Sequence, residues 1–118
     1  MRVITGTARG RVLKTLEGED VRPTTDRVKE AIFSIIQFEL EGRRVLDLFA
    51  GSGQLGIEAL SRGAAYATFT DMSADSVDIV KKNLISTKLE NNAEVIRTEA
   101  EPFLKGNRNK YATLFTYT

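Results

Sequence analysis

The stretch VLDLFAGSGQLG, residues 45–56, limits the possible folds of this chain more than any other segment. Its first half is a nearly continuous apolar run of strand length, which is typical of a strand buried on both faces of a parallel sheet. Gly51, Gly53 and Gly56 follow, ahead of a helical segment. Because glycine accepts positive φ angles and lets the backbone approach a ligand closely, this order of strand, turn and helix predicts a nucleoside-binding turn.

Strands and helices alternate along the rest of the chain. The patterns predict further strands over 66–71 and 93–98 and helices over 26–41 and 73–86. Residues 99–105 fit a short helix or a turn, and 111–117 fit a fourth strand. The helix over 26–41 has an apolar face that is predicted to cover the core, formed by Val28, Ala31, Ile32, Ile35 and Ile36. Alternation of this kind predicts a doubly wound α/β fold around a parallel sheet.

Composition narrows the possible chemistry. A chain of 118 residues with 42% apolar and 28% charged residues is typical of a single globular domain. It contains no cysteine and no histidine, which excludes disulfides, thiolate metal sites and a Ser-His nucleophile pair, and no metal site is predicted. The start MRVITGTARG has no signal-like apolar segment, and no run approaches the ~20 apolar residues of a membrane span. We therefore expect a cytoplasmic protein.

The first fourteen residues carry only positive charges, on Arg2, Arg9, Arg11 and Lys14. Two short apolar segments flank the turn GTARG, a pattern that predicts a β-hairpin. A basic hairpin suits contacts with a nucleic-acid phosphate backbone. A solvated surface hairpin fits the same pattern, and spacing alone does not decide between the two.

Two carboxylates bear on which ligand the turn binds. Asp71 ends the next predicted strand, twenty residues after Gly51, where it can accept hydrogen bonds from both hydroxyls of a ribose. A dinucleotide such as NAD and S-adenosylmethionine both contain such a ribose. A carboxylate at Asp47 near the ligand repels a pyrophosphate but attracts a cation, by roughly 4 kcal/mol at about 4 Å before desolvation. Asp47 therefore favours S-adenosylmethionine, unless it only accepts hydrogen bonds from nearby backbone amides.

The segments RPTTDRVKEAIFSII and EGRRVLDLFAGSGQLGIEALSRGA together resemble the RsmD-type bacterial methyltransferases. Members of that family use S-adenosylmethionine to methylate the exocyclic N2 of a guanine in small-subunit ribosomal RNA. The resemblance covers essentially the whole chain. It implies a Rossmann-like S-adenosylmethionine-dependent methyltransferase fold in which this chain supplies the first four parallel strands. Residues 1–21 would be a basic hairpin and connector, and 22–118 the N-terminal half of the methyltransferase domain.

The same resemblance assigns the binding residues. Those implied for the cofactor are Asp47, Phe49, Gly51, Ser52, Gly53, Asp71, Met72, Glu99 and Ala100, with Arg22 and Thr24 at the border of the pocket. Within this set, Asp71 would hold the ribose, Met72 would lie against the adenine, and Glu99 would stand near the adenine amine. The implied RNA contacts are Arg2, Arg9, Arg11 and Lys14. The family commonly has Glu in place of Asp71 and Asp in place of Glu99, and both exchanges keep the charge.

One family motif is missing. Such enzymes carry Asp or Asn, two prolines and an aromatic residue after the fourth strand, whereas this chain has only Pro23 and Pro102. We therefore expect no catalytic residue in this chain and little activity from it alone. The alternative function is a module that holds S-adenosylmethionine or RNA without turnover. Tyr117 could stack on a base or simply pack. The segment ATLFTY would be an exposed edge strand, which predicts self-association or a longer parent chain.

Overall fold

The computed structural model describes residues 2–15 and 26–115. Its regular elements are α1 (Asp26–Ile36), β1 (Arg44–Asp47), α2 (Gln54–Ser61), β2 (Tyr66–Asp71), α3 (Ala74–Ser86), β3 (Ala93–Arg97), α4 (Ala100–Asn107) and β4 (Thr113–Phe115). The predicted alternation of strands and helices is confirmed. Tyr117 lies outside the described residues.

The strands form one parallel sheet in the order β3-β2-β1-β4. The chain runs outward from β1 to β3 and then returns to the other side of β1. Right-handed crossovers place α2 and α3 on one face of the sheet and α4 on the opposite face. The strand order thus reverses between β1 and β4, and the crevice at their carboxyl ends is where open α/β sheets bind ligands.

Helix α2 lies unusually close to the sheet, because Gly56 rests on the ring of Phe69 in β2. A Cβ atom at position 56 would stand 2.3 Å from Cε2 of Phe69. Real Cβ atoms do not come so near to another carbon, so only glycine permits this approach. Phe69 is itself fully buried in the core.

The predicted core face of α1 is only partly right. Ile32 and Ile36 are half-buried and pack against the core, as expected. Val28 and Ile35 are exposed, at 49% and 81%, whereas Lys29 and Phe33 are completely buried. The helix is turned so that the ring of Phe33 packs on Phe115 of β4, with ring centres 5.6 Å apart. The α-helix also ends at Ile36 rather than at residue 41 and is followed by a short 3-10 turn.

The basic segment at the start of the chain, residues 2–15, is here called the basic arm. The predicted hairpin is reduced to a single antiparallel bridge between Arg2 and Val12. The arm is not merely a surface feature, because Val3, Ala8 and Leu13 are buried in the main hydrophobic core. Its backbone therefore has a defined position on the rest of the fold.

Glu58 of α2 holds the basic arm in place. Its carboxylate is buried and accepts hydrogen bonds from the backbone amides of Ile4 and Thr5 at 2.9 and 3.0 Å. It also pairs with Nζ of Lys29 at 3.2 Å and with Nε of Arg62 at 2.9 Å. Burial acts to raise the pKa of Glu58, but these donors outweigh it, and the pKa lies below the ordinary value of 4.5.

We expect Glu58→Leu to destabilise the protein more than Lys29→Met. Loss of Glu58 leaves the buried Lys29 ammonium without its counter-charge and two arm amides without their acceptor, at a cost of about 3–5 kcal/mol. Loss of Lys29 leaves Glu58 with three other donors. Urea unfolding of both variants measures the difference, and equal costs would contradict a central role for the carboxylate. Because the pKa of Glu58 is lowered, its stabilisation should also fade as the pH falls below about 4.5.

Gly56→Ala and Gly106→Ala form a matched pair. The first places a methyl group against Phe69, and we expect it to destabilise the fold by about 1–3 kcal/mol through overpacking. The second lies in α4 with no atom within 4 Å of the added carbon, so higher helix propensity should stabilise it by up to about 1 kcal/mol. Thermal unfolding distinguishes the two, and a harmless Gly56→Ala would refute the close approach.

Candidate functional site

The turn after β1 is built from left-handed backbone. Phe49, Gly51 and Gly53 have φ angles of 54°, 60° and 83°. Such a conformation is costly for a residue with a side chain, and non-glycine residues that adopt it often cluster at ligand sites. The ring of Phe49 is half-exposed at the mouth of the turn. This bend ends β1 at Asp47, three residues earlier than the apolar run suggests.

Asp47 lies under the turn and is almost fully buried. Its Oδ2 accepts a hydrogen bond from the amide of Gly56 at 3.0 Å, so the carboxyl bonds to the backbone of α2. The pKa of Asp47 is raised to about 8, mainly because the group is buried. The hydrogen bond from Gly56 acts to lower this pKa, and the negative charge of Asp71 acts to raise it. The free protein therefore carries this group largely protonated at neutral pH.

Asp71 connects the glycine turn to the start of α3. Its Oδ2 accepts from the amide of Gly51 at 3.1 Å, and its Oδ1 accepts from the amide of Ser73 at 2.9 Å. The side chain is partly exposed. Because each carboxylate oxygen can accept two hydrogen bonds, both oxygens keep the capacity to accept another from a ligand.

The remaining described cofactor candidates lie at the same edge of the sheet. Met72 is 55% exposed beside Asp71. The amide of Thr98 donates to the backbone oxygen of Asp71 at 3.1 Å, which joins the ends of β2 and β3. Glu99 is exposed and Ala100 is half-exposed, directly after this connection. Arg22 and Thr24 lie outside the described residues.

The basic arm reaches the glycine turn. All four of its basic side chains are exposed, and none belongs to an ion pair within the described parts of the chain: Arg2, Arg9, Arg11 and Lys14. The backbone of Lys14 hydrogen-bonds to the side chain of Asn83, which also hydrogen-bonds to the backbone oxygen of Ser52. The two candidate surfaces are therefore joined through one residue of α3.

Two residues of this region were missed at the level of sequence. Asn83 lies in the buried stripe of α3, and a polar residue within an apolar helical stripe is the signal that could have revealed it. Gln54 begins α2, and its Oε1 is a buried acceptor to which no donor within the described residues is bonded. A buried acceptor without a donor is costly, so a ligand donor is a natural partner for Gln54.

Comparison with known proteins decides the family. Residues 1–116 match the model of the family described as conserved hypothetical protein 95. The chain belongs to this family, the RsmD-type group. YlbH of Bacillus subtilis is 52% identical over 86% of this chain and 55% of its own length. Ribosomal RNA small subunit methyltransferase D of Haemophilus influenzae is 43% identical over 93% of this chain and 58% of its own.

Solved structures agree on the fold. The structure of yhhF from Escherichia coli is 41% identical with a TM-score of 0.79, covering 88% of this chain and 55% of its own. A SAM-dependent methyltransferase from Agrobacterium tumefaciens, at 20% identity and a TM-score of 0.63, shares the fold alone. The predicted Rossmann-like methyltransferase fold with four strands is confirmed. The chain spans a little over half the length of the relatives it matches.

The described residues contain neither a membrane-spanning helix nor a cluster of metal ligands. None of their helices is long and apolar enough to cross a membrane. No group of three or more acidic side chains among them could hold a metal ion.

The raised pKa of Asp47 predicts how stability depends on pH. The folded state keeps a proton on Asp47 that the unfolded chain releases near pH 3.8. The contribution of Asp47 to the free energy of unfolding therefore falls as the pH rises from about 4 to about 8. Asp47→Asn keeps an acceptor for Gly56 but cannot ionise. We expect the free energy of unfolding of this variant, relative to that of the wild type, to rise by up to about 1.4 kcal/mol per pH unit between about pH 4 and about pH 8. Urea unfolding at several pH values tests this, and a constant difference would contradict it.

Proposed function

We propose that this chain is the cofactor-binding part of an S-adenosylmethionine-dependent methyltransferase that acts on guanine N2 of small-subunit ribosomal RNA. The observation that carries the proposal is the pair of acids, Asp47 and Asp71, placed against a left-handed glycine turn at the switch point of the sheet. Residues 45–56 contain no Lys or Arg that could balance a pyrophosphate. The family and the names of its relatives support the RNA substrate.

The residues at the turn fit a ligand that carries an amine, a sulfonium and a ribose. The buried amide oxygen of Gln54 would accept from a donor of the ligand. The carboxyl of Asp47, which is bonded to the amide of Gly56, would add a negative charge beneath the turn when it is ionised. Asp71 offers two partly occupied oxygens toward ribose hydroxyls. The half-exposed ring of Phe49 and the thioether of Met72 offer apolar contacts. In this assignment the methionine part of the cofactor lies along Gly51, Ser52 and Gly53, and the adenine lies toward Glu99 and Ala100.

When bound, S-adenosylmethionine supplies an electrophilic methyl group for a nucleophilic nitrogen. The residues of this chain bind and orient it; we assign none of them to proton transfer. Such positioning can contribute several powers of ten to a rate when both reactants are held in line. The acceptor base must be held by other residues, because this sequence contains no pair of adjacent prolines with an acidic and an aromatic neighbour.

The partners in this proposal follow from charge and exposure. The four basic side chains of the arm would contact RNA phosphates, whose attraction weakens as salt concentration rises. The outer edge of β4 faces no strand within the described residues, so self-association through this edge remains a prediction. The proposed substrate places the protein in the cytoplasm.

A second function is a module that binds S-adenosylmethionine or RNA without turnover. The observation that favours it is the missing acceptor motif, since binding needs only the turn and the arm. Methyl transfer to undermethylated small ribosomal subunits tests only the first function, and clear transfer by this chain would exclude the second. We expect little transfer from residues 1–118 alone.

Calorimetry with S-adenosylmethionine tests the pocket that both functions share. We expect binding at micromolar to millimolar concentration, weakened about tenfold or more by Asp71→Ala because two carboxylate contacts to the ribose are lost. Asp75→Ala, an acid of the first turn of α3, is the matched control and should bind normally. For the wild type, affinity should rise with pH as Asp47 ionises, and this rise should be absent in Asp47→Asn.

Absence of binding by the folded wild type at millimolar ligand would overturn the proposal. NAD bound more tightly than S-adenosylmethionine would instead favour a dinucleotide site.

A further inference from the structure

Asn83 is the residue that joins the basic arm to the glycine turn. It lies on α3 between Val80 and Leu84 and is 1% exposed. Its Oδ1 accepts from the amide of Lys14 at 2.7 Å, and its Nδ2 donates to the backbone oxygen of Lys14 at 2.9 Å. The same Nδ2 donates to the backbone oxygen of Ser52 at 2.9 Å.

The chemistry of these three bonds admits only a carboxamide. The Lys14 amide requires an acceptor, and the two carbonyl oxygens require a group with two N–H donors. Aspartate has the same shape but would set a carboxylate oxygen against the oxygens of Lys14 and Ser52. Leucine also has a similar size, and would leave all three backbone groups without this partner.

Because of the position of Asn83, a movement of one surface is transmitted to the other. Ser52 belongs to the turn that would hold the methionine part of the cofactor, and Lys14 carries one of the four arm charges. A shift of the Ser52 carbonyl lengthens or shortens a bond to the side chain that also fixes Lys14. Lys29, Glu58 and Ser61 also bind the arm through their side chains, at residues 2–8. Within the described residues none of these side-chain hydrogen bonds reaches residues 48–53.

We propose that Asn83 is a positioning residue that couples occupancy of the glycine turn by cofactor to RNA binding by the basic arm. This inference rests on the proposed function. Binding that shifts the Ser52 carbonyl or the Lys14 backbone moves Asn83 and therefore changes the geometry that the other surface offers to its ligand. Linkage requires that each ligand strengthen the other by the same factor.

The test measures both affinities in the presence and absence of the other ligand. S-Adenosylmethionine binding is followed by calorimetry, and binding of a fluorescein-labelled RNA hairpin by anisotropy at fixed salt. For the wild type we expect each ligand to strengthen the other about fivefold, within the usual range of coupling. In Asn83→Asp and Asn83→Leu the factor should fall close to one, and affinity for S-adenosylmethionine alone should fall about three- to tenfold.

Ser61→Ala is the matched control. The Ser61 hydroxyl accepts from the amide of Ala8 at 2.9 Å and donates to the oxygen of Thr5 at 2.6 Å, so it anchors the arm without touching the turn. This variant should bind RNA more weakly but keep the wild-type coupling factor. A purely structural role for Asn83 would instead lower both affinities and leave the factor unchanged.

The outcomes separate the two proposals. A wild type that binds neither ligand overturns the proposed function. A wild type that binds both with a factor of one, or Asn83 variants that keep the wild-type factor, overturn the coupling alone. Should the variants not fold, hydrogen exchange on the wild type decides: S-adenosylmethionine should slow exchange of the Lys14 amide at least about twofold, and an unchanged rate would overturn the inference.

Discussion

The close packing of α2 on the sheet underlies the rest of this structure. It depends on Gly56, which rests on the ring of Phe69 where any side chain would collide. The approach brings the first turn of α2 down to the end of β1, so that the amide of Gly56 reaches the carboxyl of Asp47. A helix held even one ångström farther away would leave that buried carboxyl without its donor. The position of α2 and the geometry of the turn after β1 therefore depend on each other.

The same helix organises the N-terminal segment. Glu58 and Ser61 lie on the side of α2 that faces the basic arm. Their side chains hydrogen-bond to backbone amides in the first half of the arm. Asn83 of α3 binds the end of the arm and the glycine turn together. A segment with little secondary structure of its own is thus fixed by side chains that lie more than fifty residues away.

Two buried acids show how environment sets charge. Asp47 has a single backbone donor and a neighbouring acid, and its pKa is raised; Glu58 has backbone amides and two basic side chains, and its pKa is lowered. The protein thus keeps one carboxyl largely neutral and another ionised, both beneath the surface. The neutral acid lies at the candidate site, where a cationic ligand would favour its ionised form, and the ionised acid holds the fold together.

The sequence by itself determined the elements and the family. The apolar run before Gly51 and the helical spacing after Ser73 depend on neighbours within one or two turns, so strands, helices and the glycine turn were predictable. The residues of the turn and Asp71 could also be named, because they follow strand ends that must meet at one edge of a parallel sheet.

Only the tertiary structure decided which side of α1 is buried, that Lys29 rather than Val28 lies inside, and that the arm joins the core. It also decided that Asp47 bonds to the helix backbone and that Asn83 connects two surfaces. The physical reason is common to all of these. Each depends on a partner far away in the chain, such as Glu58 for Lys29 or Lys14 for Asn83, and local periodicity carries no information about such partners.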